Sequence, residues 1–290
     1  MVFTLPDALN VLAINHPKAA YNSLFRAAWH TMKTFAKDPK HLGAETGMTA
    51  VLHTWGQNLS LHPHLHCIVP GGGLTKAGHW KKAHNKGRYL FPTFAMAKVF
   101  RAKFMELLRK EVAVPQDVAK RLFQKPWVVY AKRPFMGPTQ VVEYLGRYTH
   151  KIAISNHRIT GIDEQHVRFS WKDYRHGGVK KIMQLDIIEF LRRFCQHILP
   201  SGFTRIRHYG ILASRNKSTQ LNKLRQYFKL RPWKKPQKTD WKEVVEQQMN
   251  IIPDQCPHCK EGVMQVIEIL EPRRGPPTLF NALRKHYENK

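Results

Sequence analysis

Residues 62–69 read His62-Pro63-His64-Leu65-His66-Cys67-Ile68-Val69, and this stretch decides the fold. Successive side chains of a strand point to opposite faces, so His64 and His66 share one face while Leu65 and Cys67 face a core. Two imidazoles in one strand make a two-pronged clamp for a metal ion. With 17 histidines in 290 residues, a chance pair that serves only the structure is the alternative.

The residues before this strand offer a third ligand. Residues 51–55 are typical of a preceding strand, and with residues 58–63 as the turn, Gln57 pairs opposite His64. Two imidazoles and an amide oxygen, without a carboxylate, leave open positions for water and an anionic substrate. Such a set suits Mg²⁺ or Mn²⁺ bound together with a phosphate. We therefore predict His64, His66 and Gln57 as metal ligands.

A second motif, Glu143-Tyr144-Leu145-Gly146-Arg147-Tyr148-Thr149-His150-Lys151, lies downstream. Gly137-Pro138 is typical of a helix start, and the pattern predicts a helix from 138 to about 150. Tyr144 and Tyr148 then lie one turn apart on the same helix face. Such a pair is usually half-buried packing, but a phenol beside a cation can also act as a nucleophile. Three neighbouring side chains supply positive charge for a phenolate or a phosphate: Arg147, His150 and Lys151.

Further segments around these motifs read Val2-Phe3-Thr4-Leu5-Pro6, Trp55-Gly56-Gln57, Ile152-Ala153-Ile154-Ser155-Asn156 and Arg205-Ile206-Arg207-His208-Tyr209-Gly210. A His-hydrophobe-His strand followed by a Tyr-x-x-x-Tyr helix resembles the HUH single-strand endonucleases that carry two tyrosines. With the flanking segments, the chain resembles the two-tyrosine rolling-circle transposases of bacterial insertion sequences, the group that includes the ISCR elements. The resemblance covers residues 1 to about 220.

The resemblance implies roles for four residues, with His64 and His66 as metal ligands and Tyr144 and Tyr148 as nucleophiles. In that family a tyrosine attacks a phosphodiester of single-stranded DNA at the element ends, and it leaves a 5′-phosphotyrosine and a free 3′-hydroxyl. The covalent link conserves the energy of the broken bond, so rejoining needs no nucleotide cofactor. Two tyrosines allow cleavage and strand transfer to alternate.

The chain departs from the family pattern at its N-terminus. Family members carry a cysteine-rich, zinc-binding segment before the Phe-Thr-Leu-Pro strand, whereas here Met1 directly precedes Val2 and that strand. The resemblance therefore implies a truncated copy or a late start codon. Nicking is expected from such a chain, but full transposition is not.

The charge of the chain indicates a polyanionic partner. Lys+Arg 48 against Asp+Glu 20 gives a net charge of +28, with a pI of about 10.2. Such a field attracts nucleic acids, although a ribosomal or membrane-surface partner also satisfies it. Residues 215–242 hold ten of the cations against one acid, and aromatic residues are interleaved with them. We predict that this segment stacks on unpaired bases; the alternative is a tail whose aromatic residues cover the main domain.

The cysteines and the hydropathy limit the class of protein. No apolar run reaches the roughly 18 residues of a membrane span, and no signal peptide is evident, so we expect a cytoplasmic protein. Four cysteines make no disulfide framework. Cys256-Pro257-His258-Cys259 has the shape of a zinc knuckle for a structural Zn²⁺, completed by His258, His286 or a distant cysteine, or it is a vestigial loop.

The overall pattern predicts an α+β fold, in which helices pack on a mostly antiparallel central sheet. We assign residues 1–213 to the catalytic domain and 214–290 to a basic C-terminal extension, with a linker near 230–240. Three functions compete: a metal-dependent tyrosine nickase and transposase, a catalytically inactive DNA-binding remnant, and a basic RNA-binding or ribosome-associated protein. Covalent capture of DNA separates the first from the other two.

Overall fold

The structure, a computed structural model, describes residues 1–83, 90–135, 137–149, 152–233, 240–265 and 267. The chain forms two compact units, Met1–Lys234 and Lys235–Lys290. The first unit contains the strands β1 (Val2–Thr4), β2 (Gly47–Trp55), β3 (Leu61–Ile68), β4 (Gly72–Leu74), β5 (Trp80–Lys82), β6 (Val128–Tyr130), β7 (Ile159–Ile162), β8 (His166–Asp173), β9 (Val179–Asp186) and β10 (Ile206–Gly210). Its helices are α1 (Asn10–Asn15), α2 (Pro17–Lys37), α3 (Thr93–Leu108), α4 (Gln116–Gln124), α5 (Pro138–Thr149), α6 (Ile187–Cys195) and α7 (Lys217–Tyr227). The second unit contains α8 (Trp241–Met249).

A five-stranded antiparallel sheet in the order β10-β2-β3-β1-β6 organises the first unit. One face of this sheet is apolar, because alternate residues of each strand are aliphatic or aromatic. Leu52, Leu65, Phe3 and Val129 are neighbours across four adjacent strands and are buried. The predicted α+β class, with helices on an antiparallel sheet, is thereby confirmed.

Helices α2 and α3 cover this apolar face. Helix α2 begins with Pro17, whose missing amide hydrogen costs nothing in the first turn. It buries one stripe at helical spacing, and the members of this stripe include Ala20, Leu24, Ala27, Ala28, Met32 and Phe35. Since the helices occupy one face, the polar side chains of β2 and β3 are directed to the other.

A second, three-stranded antiparallel sheet, β7-β8-β9, has a small core of its own. Phe169 packs there with Ala153, Ile154 and Leu59, the last from the loop between β2 and β3. The guanidinium of Arg158 donates hydrogen bonds to the carbonyls of Gln57 and Ser170, at 2.5 and 2.9 Å. The second sheet thus holds the β2–β3 loop in place.

The strand expected at residues 51–55 lies within β2, and the helix expected from 138 to about 150 is α5. The sequence pattern also predicts a strand at residues 153–159, paired with 167–171. In the structure the strand before β8 is β7, Ile159–Ile162, and Ala153 and Ile154 lie before it in the small core. The predicted boundary at residues 213/214 stays a prediction about where the catalytic part ends. Within the described residues, no helix is both long and apolar enough to cross a membrane.

Candidate metal centre and tyrosine pair

The face of the central sheet opposite α2 and α3 carries the histidines. Its residues form two rows across the strands. His53, His64, Thr4 and Val128 are successive neighbours in one row. The next row contains Val51, His66, Val2 and Tyr130. The predicted strand alternation at 64–66 is confirmed, because Leu65 and Cys67 are buried in the core on the other face.

Three imidazoles converge on this face. His53, His64 and His66 each offer one ring nitrogen, and these atoms lie within 4.8 Å of one another. His53 is only 2% exposed, while the other two rings are half-buried. Among the described residues, His53, His64 and His66 are the three side chains of the His, Cys, Asp and Glu types that lie close enough together to hold a metal ion.

Backbone carbonyls orient two of the three rings. His53 Nε2 donates a hydrogen bond to the Tyr148 carbonyl at 2.8 Å, and His64 Nδ1 donates one to the His62 carbonyl at 2.6 Å. A carbonyl can only accept, so these bonds place the ring protons and leave the lone pair on the other nitrogen of each ring. Ligand histidines of metal sites are commonly fixed in this way.

The two tyrosines of α5 lie directly over the triad. The Tyr144 hydroxyl is 3.0 Å from His66 Nδ1, and the ring centroids of Tyr148 and His66 are 4.1 Å apart. The two tyrosine rings also contact each other, with centroids 4.3 Å apart. The predicted helix and its shared tyrosine face are confirmed, and the structure brings both tyrosines to the predicted histidines.

Burial raises the pKa of Tyr144 well above its ordinary value, and the neighbouring Tyr148 raises it further. A phenol in this environment is a poor nucleophile on its own. A hydrogen-bond donor or a cation that favours the phenolate is therefore required for attack. His66 is in position to be such a donor through Nδ1.

The hairpin register predicted for Gln57 is wrong. His53, not Gln57, pairs opposite His64, and Gln57 lies in the loop between β2 and β3. The loop closes at Gly56, whose amide donates to the Ser60 carbonyl at 2.9 Å, so β2 ends at Trp55. The role of Gln57 as a metal ligand stays a prediction, but the observed register of β2 and β3 no longer supports it.

A manganese titration compares Gln57 with the histidines. We expect Gln57→Ala to change Mn²⁺ affinity less than about twofold, whereas His64→Ala should lower it at least about tenfold. The alanine variant keeps the Gln57 carbonyl that binds Arg158, so the loop is preserved. The signal of free Mn²⁺ in electron paramagnetic resonance measures both affinities. An equal loss in the two variants would restore Gln57 as a ligand.

The predicted DNA-binding residues divide into two groups. Arg147 is exposed on α5, one residue before Tyr148. His150 and Lys151 lie outside the described residues. The contact of all three side chains with DNA stays a prediction.

The basic segment at 215–242 extends over parts of both compact units, and residues 234–239 lie outside the described ranges. In the first unit, the Tyr227 and Phe228 rings contact His79 and Trp80 at centroid distances of 6.3 and 6.1 Å. Both rings stay about half exposed. They therefore pack on the β4–β5 hairpin and still present an open aromatic surface.

Cys256 and Cys259 lie in a tight turn of the second unit. The Gly262 amide donates to Cys259 Sγ at 3.3 Å, and backbone hydrogen bonds from Gly262 and Glu261 lower the pKa of that thiol. Both cysteines are free of disulfides. In the described part of the chain they are joined by no third potential ligand, and structural zinc at this turn stays a prediction.

Fold and site together define an α+β protein in which three converging imidazoles face a pair of tyrosines. A comparison with known protein families identifies the family to which this region belongs. Residues 47–219 match the Y2_Tnp family, described as "Putative transposase", and the chain belongs to this family. The matched range contains β2, β3 and α5, so it includes the whole triad and both tyrosines. The family expected from the sequence motifs is confirmed.

Two curated proteins are similar to the chain. It is 43% identical over 301 aligned positions to "Putative transposase y4qJ" of Sinorhizobium fredii, with 97% of this chain and 75% of that protein covered. It is 27% identical to the transposase for insertion sequence element IS801 of Pseudomonas savastanoi pv. phaseolicola, with 89% of this chain and 65% of that protein covered. No solved structure matches the chain.

Proposed function

We propose that the chain nicks single-stranded DNA in a metal-dependent reaction and transfers the strand through a covalent 5′-phosphotyrosine. The observation that carries this proposal is the approach of the tyrosine pair to the His53, His64 and His66 triad. One tyrosine oxygen lies within hydrogen-bond distance of a triad ring, and the other tyrosine packs on the same ring. Membership of a transposase family supports DNA as the substrate.

The side chains present fit a divalent cation. Three neutral imidazoles supply the nitrogen ligands, and the carbonyl bonds of His53 and His64 fix their tautomers before any ion binds. Imidazole suits softer divalent ions better than Mg²⁺, which prefers oxygen ligands. Of the two predicted ions, we therefore favour Mn²⁺ over Mg²⁺. The bound ion would polarise the phosphoryl oxygens of the scissile phosphate.

His66 connects the metal centre to the attacking oxygen. When its Nε2 is the ligand, Nδ1 carries the ring proton and donates to the Tyr144 oxygen 3.0 Å away. That bond favours the phenolate and offsets the effect of burial. The phenol loses its proton to water, a bond forms from the tyrosine oxygen to phosphorus, and the bond from phosphorus to the 3′-oxygen breaks. The released 3′-oxygen takes up a proton.

Covalent capture tests the proposed reaction. The full chain is incubated with labelled single strands from the ends of the element that encodes it, in Mn²⁺ or in EDTA, and the products are separated under denaturing conditions. In Mn²⁺ only, we expect the fragment downstream of the nick to be linked to the protein through its 5′-phosphate, and the upstream fragment to carry a free 3′-hydroxyl. A bound strand that stays intact would favour the inactive DNA-binding remnant, and nicking without a protein link would remove tyrosine as the nucleophile.

Binding of single strands should depend strongly on salt. Each neutralised phosphate contributes a slope of roughly −0.7 in log K against log salt. The triple variant Lys223→Gln, Lys229→Gln, Arg231→Gln removes three exposed cations of the basic segment, and we expect its slope to be shallower by about 2. Fluorescence anisotropy of a labelled dT20 strand measures both slopes.

A matched variant controls for net charge. Lys33, Lys37 and Lys40 are exposed in and just after α2, which covers the other face of the central sheet. The triple glutamine variant at these positions loses the same charge and should keep the parent slope. Equal slopes for both triple variants would assign the basic segment to a structural role.

Whole transposition extends the same reaction to two element ends and a target. The chain spans 75% and 65% of the two transposases it is similar to, so we restrict the proposal to nicking and transfer. The cytoplasmic location expected from the sequence stays a prediction.

A further inference from the structure

A cavity of about 690 Å³ opens beside the tyrosine pair. His66 and Val2 of the central sheet line it, and so does Tyr130 at the end of β6. Tyr144 and Tyr148 line it from α5. A cavity of this size is typical of small-molecule pockets, and His66 is the member of the triad that lines it.

The chemistry of the lining is selective. Its residues are mostly apolar, with aromatic rings at Tyr130 and Phe135 and cations at Lys132 and Arg133. The lining residues that the structure describes include no carboxylate. Aromatic faces combined with cations, without acids, are the features that hold unpaired bases and their phosphates.

The position of Tyr130 relates the cavity to the reaction. Val51, His66, Val2 and Tyr130 are neighbours in one row, so Tyr130 lies two strands, roughly 10 Å, from His66. One nucleotide with its base can bridge that span. Tyr130 is 57% exposed, so its ring is open to a stacking partner and is not used in core packing.

Phe135 connects this end of the cavity to the nucleophile. Its ring centroid is 5.2 Å from that of Tyr144. A base placed between Tyr130 and α5 would therefore contact Phe135, which packs against Tyr144. Occupation of the cavity would limit the movement of the attacking oxygen.

We infer that this cavity binds the unpaired base adjacent to the scissile phosphate. The base stacks on Tyr130, and Lys132 and Arg133 bind the phosphate on its far side. This inference rests on the proposed function, since it names the part of the DNA that the site recognises. It makes Tyr130 a positioning residue for the nicking reaction.

Photocross-linking tests the location of the base without requiring catalysis. The full chain is bound to a single strand containing 5-iodouracil in EDTA, irradiated and digested, and the cross-linked peptides are identified by mass spectrometry. We expect cross-links at Tyr130 or Phe135. Cross-links confined to other aromatic residues, such as Tyr227 and Phe228, would overturn the inference, whereas the proposed function is judged separately by covalent adducts in Mn²⁺.

Abasic substrates test the same contact through its energy. Loss of one stacked base costs roughly 5- to 150-fold in affinity, so Tyr130→Ala should raise the KM for nicking about tenfold. An abasic nucleotide at one position beside the nick should cost the parent the same factor and cost Tyr130→Ala nothing more. If the effect of Tyr130→Ala and the effect of the abasic nucleotide multiplied at every position of the strand, the proposed contact would be ruled out.

Val128→Ala is the matched control. Val128 lies two residues before Tyr130, on the same face of β6, and is 58% exposed, but it does not line the cavity. This variant should keep the parent KM and the full abasic penalty. If Tyr130→Ala behaved in the same way, the cavity would be a packing feature only.

Discussion

Replacement of His53 by alanine is expected to abolish Mn²⁺-dependent nicking of single-stranded DNA. His53 contributes one of three converging ring nitrogens and is 2% exposed, so solvent ligands cannot easily take its place. Loss of a residue that only supports a ligand typically costs 10- to 100-fold in metal affinity or activity, and we expect the loss of a ligand to cost at least about 100-fold. Quantified covalent adducts across an Mn²⁺ titration measure the effect.

A variant of a second buried histidine, His197, controls for the cavity that a substitution of a buried histidine by alanine leaves. His197 accepts a hydrogen bond from Thr54 at 3.2 Å and donates one to the Leu59 carbonyl at 3.1 Å, outside the triad. His197→Ala should lower the thermal stability and retain Mn²⁺-dependent nicking. If His53→Ala nicked like the parent at saturating Mn²⁺, His53 would have only a packing role.

His53 is the residue that the sequence analysis missed, and the reason is Pro63. The sequence pattern ends the first strand at residue 55 and places the turn at 58–63, which includes this proline and brings Gln57 opposite His64. In the structure Pro63 lies within β3, where its carbonyl accepts a hydrogen bond from the Leu5 amide. The pairing of β2 with β3 also shifts its register between His53 and Trp55, close to the turn.

The actual turn is fixed by contacts that are distant in sequence. Leu59 adopts a φ of 62°, which a leucine rarely takes, and it is fully buried against Phe169 of β8. Arg158 also binds the Gln57 carbonyl from the second sheet. A hairpin whose turn depends on residues at least 101 positions away cannot be placed from local pattern alone. Gly56 and Asn58 were the local signals that favoured the correct turn.

Period and spacing, by contrast, predict the rest of the site. The alternation at 64–66 needs only a two-residue repeat, and the tyrosine face needs only a helix with residues four apart. Both are local properties, and the structure confirms both. These local patterns cannot predict which helix lies over which strand. The packing of α5 over β3 depends on contacts between residues that are distant in sequence.

The hydrogen bond from His53 to the Tyr148 carbonyl joins the two motifs. It ties one imidazole of the triad to the backbone of α5, so the position of the imidazole and the position of the helix depend on each other. A side-chain substitution at Tyr148 keeps this carbonyl and leaves His53 oriented. Tyr148→Phe can therefore report on chemistry while His53 keeps its orientation.

The double variant Tyr144→Phe, Tyr148→Phe is expected to lose covalent adducts entirely while still binding single-stranded DNA. Phenylalanine removes the two phenolic oxygens proposed as nucleophiles and keeps the rings that pack on each other and on His66. Each single variant should keep one competent oxygen and form some adduct. Gel analysis under denaturing conditions measures adducts, and fluorescence anisotropy measures binding.

The two single variants should differ, because the two tyrosines do not occupy equivalent positions. Tyr144 has its oxygen 3.0 Å from His66 Nδ1, whereas the Tyr148 ring packs against that imidazole at a tilt of 32°. We expect Tyr144→Phe to reduce the first cleavage more, and Tyr148→Phe to reduce strand transfer more. Tyr209→Phe, on β10, is the control and should match the parent in both steps. An adduct in the double variant would place the nucleophile elsewhere, and identical single variants would show that the two tyrosines are interchangeable, because either oxygen could then reach the scissile phosphate after a small movement of α5.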